Sequence, residues 1–404
     1  MVRIALLSDI HFGSLSAVSD FTVRGDSINE VRNAKPHFEG LVETLRPYNV
    51  KYIFIAGDLT STAAPHEFYF CQKKIFELAS LLEVEHSDVV FTLGNHDVDW
   101  EISKIIKLKK QEKFEIETNE YIVNSYHKLA HSVAEQHIPI REFDMIFGAP
   151  YSGLIETTEI ILYVLNSGWQ CMDDQSYYHG KLSINQLKQF EEAAQAKASS
   201  SKWKIILLHH HPQNYVYPIP TAEISTLEEG SELIDIAGRY GIHIILHGHR
   251  HHPIAFTEER TAWRSPISFI CAGSLSVNSL HRNNGEIPNT FHILELDNVP
   301  NSLNLLNFEY KSNFGWKPFT YQEGVRLEKL MRLGEYYDQT VIDEIINSFP
   351  FEVPIKWEMV DSRLKYSLYE NICTRIKELR YPCSFSGEYP DVTIYIHKED
   401  ADNE

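Results

Sequence analysis

Short apolar runs of five to seven residues recur along the chain, and each has the length and the β-branched or aromatic content of a buried strand. The eight runs are VRIALL (2–7), KYIFIA (51–56), DVVFTL (88–93), EIILYVL (159–165), WKIILL (203–208), IHIIL (242–246), ISFICA (267–272) and TFHILEL (290–296). Amphipathic segments between them have apolar residues at three- and four-residue steps and predict helices over HFEGLVETLRPY (37–48), EFYFCQKKIFELASLL (67–82), SINQLKQFEEAAQAKA (183–198) and EGSELIDIAGRY (229–240). Ser183 is suited to cap the third helix, and Gly241 to end the fourth. This alternation predicts an α/β fold with buried, largely parallel strands.

Two regions depart from this rhythm. Residues from about 100 to 140 are charged and helical in pattern, which indicates an insertion between two core strands that could act as a lid. After about residue 319, a helical pattern over 321–349 is followed by a strand pattern over 351–360, a helical pattern over 367–379 and a last strand pattern over 391–398. We therefore predict two domains, residues 1–319 and a small C-terminal α+β module over residues 320–404.

Composition and the N-terminus set the expected class. The chain has 404 residues, 43% of them hydrophobic, which is enough for a large folded core. It starts directly with a strand pattern and not with a signal peptide, and its apolar runs are too short to span a bilayer. We expect a soluble, cytoplasmic protein with no membrane partner. The five cysteines are scattered, never spaced CxxC, and predict neither a disulfide framework nor a thiolate zinc site.

The charge balance bears on possible partners. There are 56 acidic and 37 basic residues, for a formal net charge of −19. Proteins that grip DNA through many phosphates usually present a basic face. Nucleic acid is therefore a possible partner but a disfavoured one.

Polar residues of one chemical kind follow five of the apolar runs. They are Asp9 and His11, Gly57-Asp58, Gly94-Asn95-His96-Asp97, His209-His210-His211, and the segment from His247 to His252. Because the carboxyl ends of strands in an α/β sheet converge on one edge, these residues can meet in space. Asp, Asn and His without thiolates suit Mn²⁺, Fe²⁺/Fe³⁺ or Zn²⁺. The set is too large for one ion, and two ions about 3.5–4 Å apart, bridged by a carboxylate, would serve in-line displacement at phosphorus.

The order of these blocks, DxH, GD, GNHD, H and GHxH, resembles the calcineurin-like metallophosphoesterase family over residues 1 to about 300. The resemblance implies a four-layer fold of two mixed β-sheets, packed face to face with helices outside, and a dinuclear metal centre. It assigns the first ion to Asp9, His11 and His251, and the second ion to Asn95, His209 and His249. It makes Asp58 the bridge between the ions. His96 is then not a ligand and faces the leaving group.

Some positions stay ambiguous on sequence alone. His210 also follows the strand, and the resemblance favours His209 as the ligand; His210 and Asp97 are then expected to support the ligands. His211, His247 and His252 are expected to be structural. Ser61 stands where Ser/Thr protein phosphatases of the superfamily carry a second Asp. This weakens the protein-phosphatase interpretation and predicts that a backbone carbonyl or a water orients His96.

The predicted reaction is hydrolysis of a phosphoester by a hydroxide that bridges the metals, with His96 protonating the leaving group. SDIHFG, GDLTSTAAPHEF and LLHHHP look most like bacterial cyclic-nucleotide phosphodiesterases, so a small phosphodiester or nucleotide is the expected substrate. The alternatives are a DNA nuclease of the SbcD/Mre11 type, a phosphomonoesterase, and a non-catalytic scaffold that binds a partner. The C-terminal module is expected to serve oligomerisation or a protein partner.

Overall fold

The computed structural model describes residues 1–22, 37–98, 143–168, 179–213, 225–282, 285, 287–298, 300, 302–311, 314–318, 330–332, 343, 346–356, 375–380, 382–387 and 393–397. The insertion predicted over residues 100–140 lies outside these ranges, as does most of the chain around the predicted domain boundary at residue 319. The division into two domains therefore stays a prediction. Among the described residues, no helix has the length and apolarity that crossing a bilayer requires.

The described residues contain seventeen strands. They are β1 (Val2–Leu7), β2 (Tyr52–Ala56), β3 (Val89–Thr92), β4 (Met145–Ile146), β5 (Gly153–Glu156), β6 (Ile160–Val164), β7 (Trp203–Leu207), β8 (Ile244–His247), β9 (Ile254–Glu258), β10 (Ile267–Cys271), β11 (Thr290–Leu296), β12 (Ser302–Lys311), β13 (Gly315–Pro318), β14 (Leu330–Arg332), β15 (Ile355–Lys356), β16 (Cys383–Ser386) and β17 (Thr393–Ile396). All eight strands predicted from the apolar runs are among them.

Two large sheets are mixed in direction. The first has the order β13-β12-β11-β1-β2-β3, with β14 also paired to β12, and the second has the order β4-β5-β6-β7-β8-β10-β9. In the first sheet β1, β2 and β3 are parallel, while β11 pairs antiparallel with both β1 and β12. In the second, β6, β7, β8 and β10 are parallel. The parallel strands expected from the pattern therefore form only part of each sheet, and antiparallel strands extend them.

Four helices match the predicted amphipathic segments: α1 (His37–Leu45), α2 (Pro65–Leu81), α3 (Ile184–Ala196) and α4 (Gly230–Tyr240). The Ser183 side chain accepts a hydrogen bond from the Gln186 N–H, as an N-cap should. Gly241 ends α4 with φ of 69°, a left-handed conformation that glycine adopts without strain. Both end signals predicted from the sequence are thus confirmed.

Three apolar clusters place these elements in four layers. Successive side chains of β1 point to opposite faces: Ala5 and Leu7 pack with α1 and α2, whereas Ile4 and Leu6 pack with the second sheet. On its far side the second sheet packs against α3 and α4, through residues such as Phe190. The order helix, sheet, sheet, helix confirms the sandwich that the motifs imply.

A third sheet, β15-β17-β16, lies in the C-terminal part of the chain and confirms the strand predicted within 391–398. Residues 375–379 are helical, in agreement with the prediction for the end of 367–379. The helical prediction over 321–349 is wrong for Leu330–Arg332, which form β14 and pair antiparallel with Ser302–Asn304 of β12. Pairing with the edge of β12 therefore outweighs the helical preference of the local sequence.

Candidate metal centre

The candidate ligands lie on turns that leave β1, β2, β3, β7 and β8 at their carboxyl ends, so both sheets contribute to one site. Five of these residues have positive φ although they are not glycine: Asp9 (50°), His11 (48°), Asp58 (51°), His249 (73°) and His251 (52°). Left-handed backbone of this kind is unfavourable for residues with a Cβ and tends to collect at functional sites. The left-handed conformation is concentrated on the predicted ligands, which indicates that these turns form a functional site.

The first cluster contains the side chains assigned to the first ion. One ligand atom from each of Asp9, His11, Asp58 and His251 lies within 4.8 Å of the others. His11 Nε2 is 3.8 Å from Asp9 Oδ1 and 3.5 Å from Asp58 Oδ2, and His251 Nε2 is 3.2 Å from Asp9 Oδ1. These atoms therefore surround one small volume.

The second cluster adjoins the first. His209 Nε2 is 3.2 Å from Asn95 Oδ1 and 3.2 Å from His249 Nδ1. The same nitrogen is 3.3 Å from Asp58 Oδ2. The structure thus brings together the three side chains assigned to the second ion and places Asp58 beside them.

Asp58 stands between the two clusters. Its Oδ2 faces His11 on one side and His209 on the other, and its Oδ1 accepts a hydrogen bond from the His96 N–H at 2.9 Å. Although burial disfavours the charged forms, attraction to His209 keeps the pKa of Asp58 well below its usual range. Conversely, against the effect of burial, the Asp58 charge raises the pKa of His209 to about 9. The geometry suits a carboxylate shared by two cations.

Transition-metal ions fit the donor set. Asp9 Oδ2 is occupied by hydrogen bonds from Ser8 Oγ (2.5 Å) and the His249 N–H (3.1 Å), whereas Oδ1 is buried and has no hydrogen-bond partner among the described residues. The Nε2 atoms of His11 and His251 are 3.0 Å apart. If two nitrogens each lay about 2.1 Å from one ion, with a nitrogen–ion–nitrogen angle of about 90°, they would be about 3.0 Å apart. These donors are nitrogen and oxygen, which suits Mn²⁺, iron or Zn²⁺.

Backbone carbonyls orient two of the histidine ligands. His209 Nδ1 is 2.7 Å from Ala56 O, and His251 Nδ1 is 3.0 Å from His281 O. An Nδ1–H that donates to a carbonyl leaves Nε2 free to bind a metal, a common arrangement in metal sites. Each of these rings therefore presents Nε2 to its cluster.

Glycines allow the turns to approach one another. A Cβ on Gly94 would overlap Asp58 Oδ1, and a Cβ on Gly57 would lie 2.6 Å from His209 Nδ1. Gly57 also has φ of 86°. Glycine is therefore needed beside the site at both positions.

His96 adjoins the clusters without belonging to either. Its ring lies edge-on to His11, with centroids 4.7 Å apart, and it is only partly buried. Its Nδ1 is 2.9 Å from Ser61 O, a backbone carbonyl of the kind predicted to orient His96 at the position where Ser/Thr protein phosphatases carry an Asp. The Ser61 hydroxyl in turn donates to His11 O at 2.7 Å and accepts from the Leu15 N–H at 3.1 Å. Ser61 therefore ties the His96 ring to the turn that carries His11.

Asp97 holds two of the turns together. Its buried carboxylate accepts hydrogen bonds from the N–H groups of Leu59 (3.1 Å), Thr60 (2.9 Å) and Gly94 (3.0 Å). Burial and then the charge of Asp58 raise the pKa of Asp97 to about 7, against the effect of these donors. These contacts join the turn after β2 to the turn after β3, and the supporting role of Asp97 stays a prediction.

His210 lies closer to the second cluster than a supporting role requires. One ring nitrogen of His210 is within 4.8 Å of the ligand atoms of His209 and His249. Its Nδ1 is 2.8 Å from Ser167 Oγ, and its Nε2 is buried without a hydrogen-bond partner in the described part of the chain. Burial, then the nearby His209, keeps the pKa of His210 well below its usual range, so the ring is neutral. Its role stays a prediction.

The remaining histidines near the strand ends are buried. Burial lowers the pKa of His247 to about 3 and that of His252 to about 4, so both are neutral. The His211 ring lies 6.1 Å from that of His249 and nearly parallel to it. These positions agree with the structural role expected for all three.

Sequence reasoning missed two groups at the site. Ser8, whose hydroxyl donates to Asp9 Oδ2 and lies 3.1 Å from Ala56 O, directly precedes the first motif and could have been noticed there. His281 lies 30 residues beyond His251 and belongs to no motif, so its carbonyl contact had no sequence signal.

No curated protein matches the chain significantly. A dimetal phosphatase from Danio rerio is 11% identical, with a TM-score of 0.45 and coverage of 80% of this chain and 99% of its own. The purple acid phosphatase PPD1 from yellow lupin (Lupinus luteus) seeds is 14% identical, with a TM-score of 0.47 and coverage of 79% and 52%. The NAD nucleotidase NadN from Haemophilus influenzae is 12% identical, with a TM-score of 0.35 and coverage of 79% and 55%.

The model for calcineurin-like phosphoesterases matches residues 2–253, well over half of the 404 residues. This range contains every residue of both clusters. The chain belongs to the calcineurin-like phosphoesterase family.

Proposed function

We propose that this protein is a phosphodiesterase that depends on two transition-metal ions, Mn²⁺, iron or Zn²⁺, and hydrolyses a small phosphodiester of nucleotide type. The observation that carries the proposal is the position of Asp58 Oδ2, within 3.5 Å of His11 Nε2 and 3.3 Å of His209 Nε2. One carboxylate oxygen is thus shared by two clusters, as a dinuclear centre requires. The family as a whole uses such a centre.

The residues divide the work of hydrolysis. When bound, two such ions supply positive charge for the phosphoryl oxygens and lower the pKa of water near them. Asp9, His11 and His251 would hold the first, and Asn95, His209 and His249 the second, with Asp58 shared. These are the residues that the motifs predict.

His96 would handle the leaving group. Since its Nδ1–H donates to Ser61 O, the proton that can be transferred resides on Nε2 when the ring carries both protons. Transfer of this proton to the departing ester oxygen avoids expulsion of a basic alkoxide. The carbonyl of Ser61 fixes the ring without adding a negative charge behind it.

The charges at the site favour a diester over a monoester or a DNA end. Arg250, between two candidate ligands, directs its Nη1 to Ser225 Oγ at 2.9 Å. The side chains that make up the two clusters are imidazoles, an amide and carboxylates. A monoanionic diester needs less compensating charge than a dianionic monoester, and the net charge of −19 disfavours a long polyanion.

The test combines metal analysis with a substrate panel. Protein loaded with Mn²⁺ should contain two ions per chain by ICP-MS and should turn over bis-p-nitrophenyl phosphate and a cyclic nucleotide in preference to p-nitrophenyl phosphate. Rates on these small diesters should change little between 50 and 300 mM NaCl, since few counterions are released. Strongly salt-sensitive cleavage of linear DNA without turnover of small diesters would replace the proposal by a nuclease. A preference for the monoester would show that the protein is a phosphomonoesterase. Inactivity of the fully loaded protein on every substrate would favour a non-catalytic scaffold.

Two further expectations remain predictions. The cytoplasmic location rests on the sequence alone. The role of the C-terminal module in oligomerisation or in binding a protein partner also remains to be tested.

A further inference from the structure

A short 3-10 turn, Ser279–His281, lies at the edge of the metal centre and is firmly held. The N–H of Asn278 donates to Leu15 O at 2.9 Å, which fastens the turn to the loop that follows His11. Arg282 Nε, just after the turn, donates to Val277 O, just before it, at 2.9 Å and closes the turn on itself. The contact with Leu15 therefore sets the position of this turn relative to the loop that follows His11.

One residue of the turn contacts the centre twice. The backbone carbonyl of His281 accepts the hydrogen bond that orients His251, and the two imidazole rings lie 6.3 Å apart, nearly perpendicular. The His281 side chain is nevertheless exposed.

The two parts of His281 have different explanations. Orientation of His251 needs only the main-chain carbonyl, which any residue would provide. The exposed side chain fills no core position, so burial in a core does not account for an imidazole beside His251. An imidazole can donate a hydrogen bond to a phosphate oxygen, and this one lies next to the first cluster, with its ring edge-on to that of His251.

We propose that the His281 side chain binds substrate, by donating a hydrogen bond from its ring to an oxygen of the phosphate that lies over the metal centre. This inference rests on the proposed phosphoesterase function and adds a binding residue outside the family's metal-ligand motifs. It separates the main chain of His281, which positions a ligand, from its side chain, which contacts substrate. Substitution of the side chain should therefore weaken phosphate binding and leave metal binding intact.

The experiment uses full-length protein loaded with Mn²⁺ and compares wild type, His281→Ala, His281→Asn and His86→Ala. His86 is an exposed histidine whose ring stacks on Phe76 of α2, and it serves as the matched control. The measurements are metal content by ICP-MS, the dissociation constant of inorganic phosphate by calorimetry, and kcat/KM for bis-p-nitrophenyl phosphate. His281→Ala should keep two ions, and both phosphate affinity and kcat/KM should fall about tenfold, the scale for losing one hydrogen bond to a charged oxygen.

The conservative variant and the control sharpen the result. His281→Asn retains an N–H donor and should recover part of the phosphate affinity, while His86→Ala should behave as wild type. Wild-type phosphate affinity and kcat/KM in His281→Ala, with both ions present, would overturn the inference and leave the proposed function standing. Loss of metal in His281→Ala would also overturn it, because the side chain would then support His251. If the loaded wild type hydrolyses no ester, the proposed function fails, and calorimetry with phosphate still tests the contact.

Discussion

The buried His37 at the start of α1 should make the stability of this protein depend on pH. Its Nε2 donates to Leu275 O at 2.7 Å, and its ring packs against Tyr310 and Trp316. The N–H of Leu275 donates to Ser8 O, next to the first candidate ligand. His37 therefore connects α1 to the turn that carries Asp9.

The magnitude follows from the pKa of this residue in the two states. Burial lowers the pKa of His37 from 6.5 to about 4, and the hydrogen bond to Leu275 O only partly opposes it. Below pH 6.5 the unfolded chain takes up a proton that the folded protein refuses, so stability falls as the pH falls towards 4. The contribution lost is about 2 kcal/mol at pH 5 and about 3 kcal/mol at pH 4, compared with pH 7.

The assay is urea unfolding of metal-free protein at several pH values between 7 and 4.5, for wild type, His37→Gln and Trp316→Phe. His37→Gln should be less stable than wild type at pH 7, because the ring packing is lost, and this deficit should shrink by about 2 kcal/mol by pH 5. Trp316→Phe disturbs the same cluster without removing a titrating group, so its deficit should be constant with pH. Parallel pH profiles for wild type and His37→Gln would refute the reasoning.

Three further changes test the metal centre. Asp58→Asn should lose both ions together by ICP-MS, because its Oδ2 faces both clusters, whereas the exposed Asp235→Asn should retain them; full metal and activity in Asp58→Asn would disprove the bridge. His96→Ala should keep its metal but lower kcat by about a hundredfold on esters with poor leaving groups. That loss should be smaller for p-nitrophenolate, and equal losses would rule out the acid role. Ser61→Ala should lower stability by about 1–3 kcal/mol through the lost contact to His11 O, while the pH profile of kcat stays unchanged because the carbonyl that orients His96 remains; a shifted profile would contradict this.

The layers of the fold could be predicted because their signals are local. In β1, the alternation of Ile4 and Leu6 with Ala5 and Leu7 is apolar on both faces, as expected for a strand buried between a helix layer and a second sheet. The ends of α3 and α4 were also predictable, since Ser183 and Gly241 act within one helical turn. Such features require no knowledge of distant parts of the chain.

The error at Leu330–Arg332 shows where local signals fail. Leucine, glutamate, lysine, methionine and arginine dominate this segment, and all of them favour helices. Its conformation is instead decided by pairing with Ser302–Asn304, which a pattern confined to the segment cannot reveal. The antiparallel pairing of β11 with β1 could not be read from a local pattern for the same reason, since it joins residues far apart in the chain, such as Val2 and Leu296.

At the metal centre, the motifs predicted which side chains converge, and the structure adds the backbone groups that aim them. Ala56 O, Ser61 O and His281 O orient His209, His96 and His251 respectively, and main-chain carbonyls leave no trace in the sequence. The sequence predicted that a backbone carbonyl or a water would orient His96 in place of an Asp. It could not predict which carbonyl, because this depends on the geometry of the loop.

The left-handed residues suggest how the centre is formed before an ion arrives. A residue with a Cβ in this conformation costs about 1–2 kcal/mol, and Asp9, His11, Asp58, His249 and His251 all adopt it. These turns follow buried strands of both sheets, and main-chain bonds such as that from the Asp9 N–H to Gly57 O (3.0 Å) join them. The packed sheets can therefore hold the unfavourable turns, since unbending one turn would disturb strands in the core. Ligands that the fold arranges in this way need little reordering when ions bind. The free energy of folding holds two carboxylates and four imidazoles around one small volume.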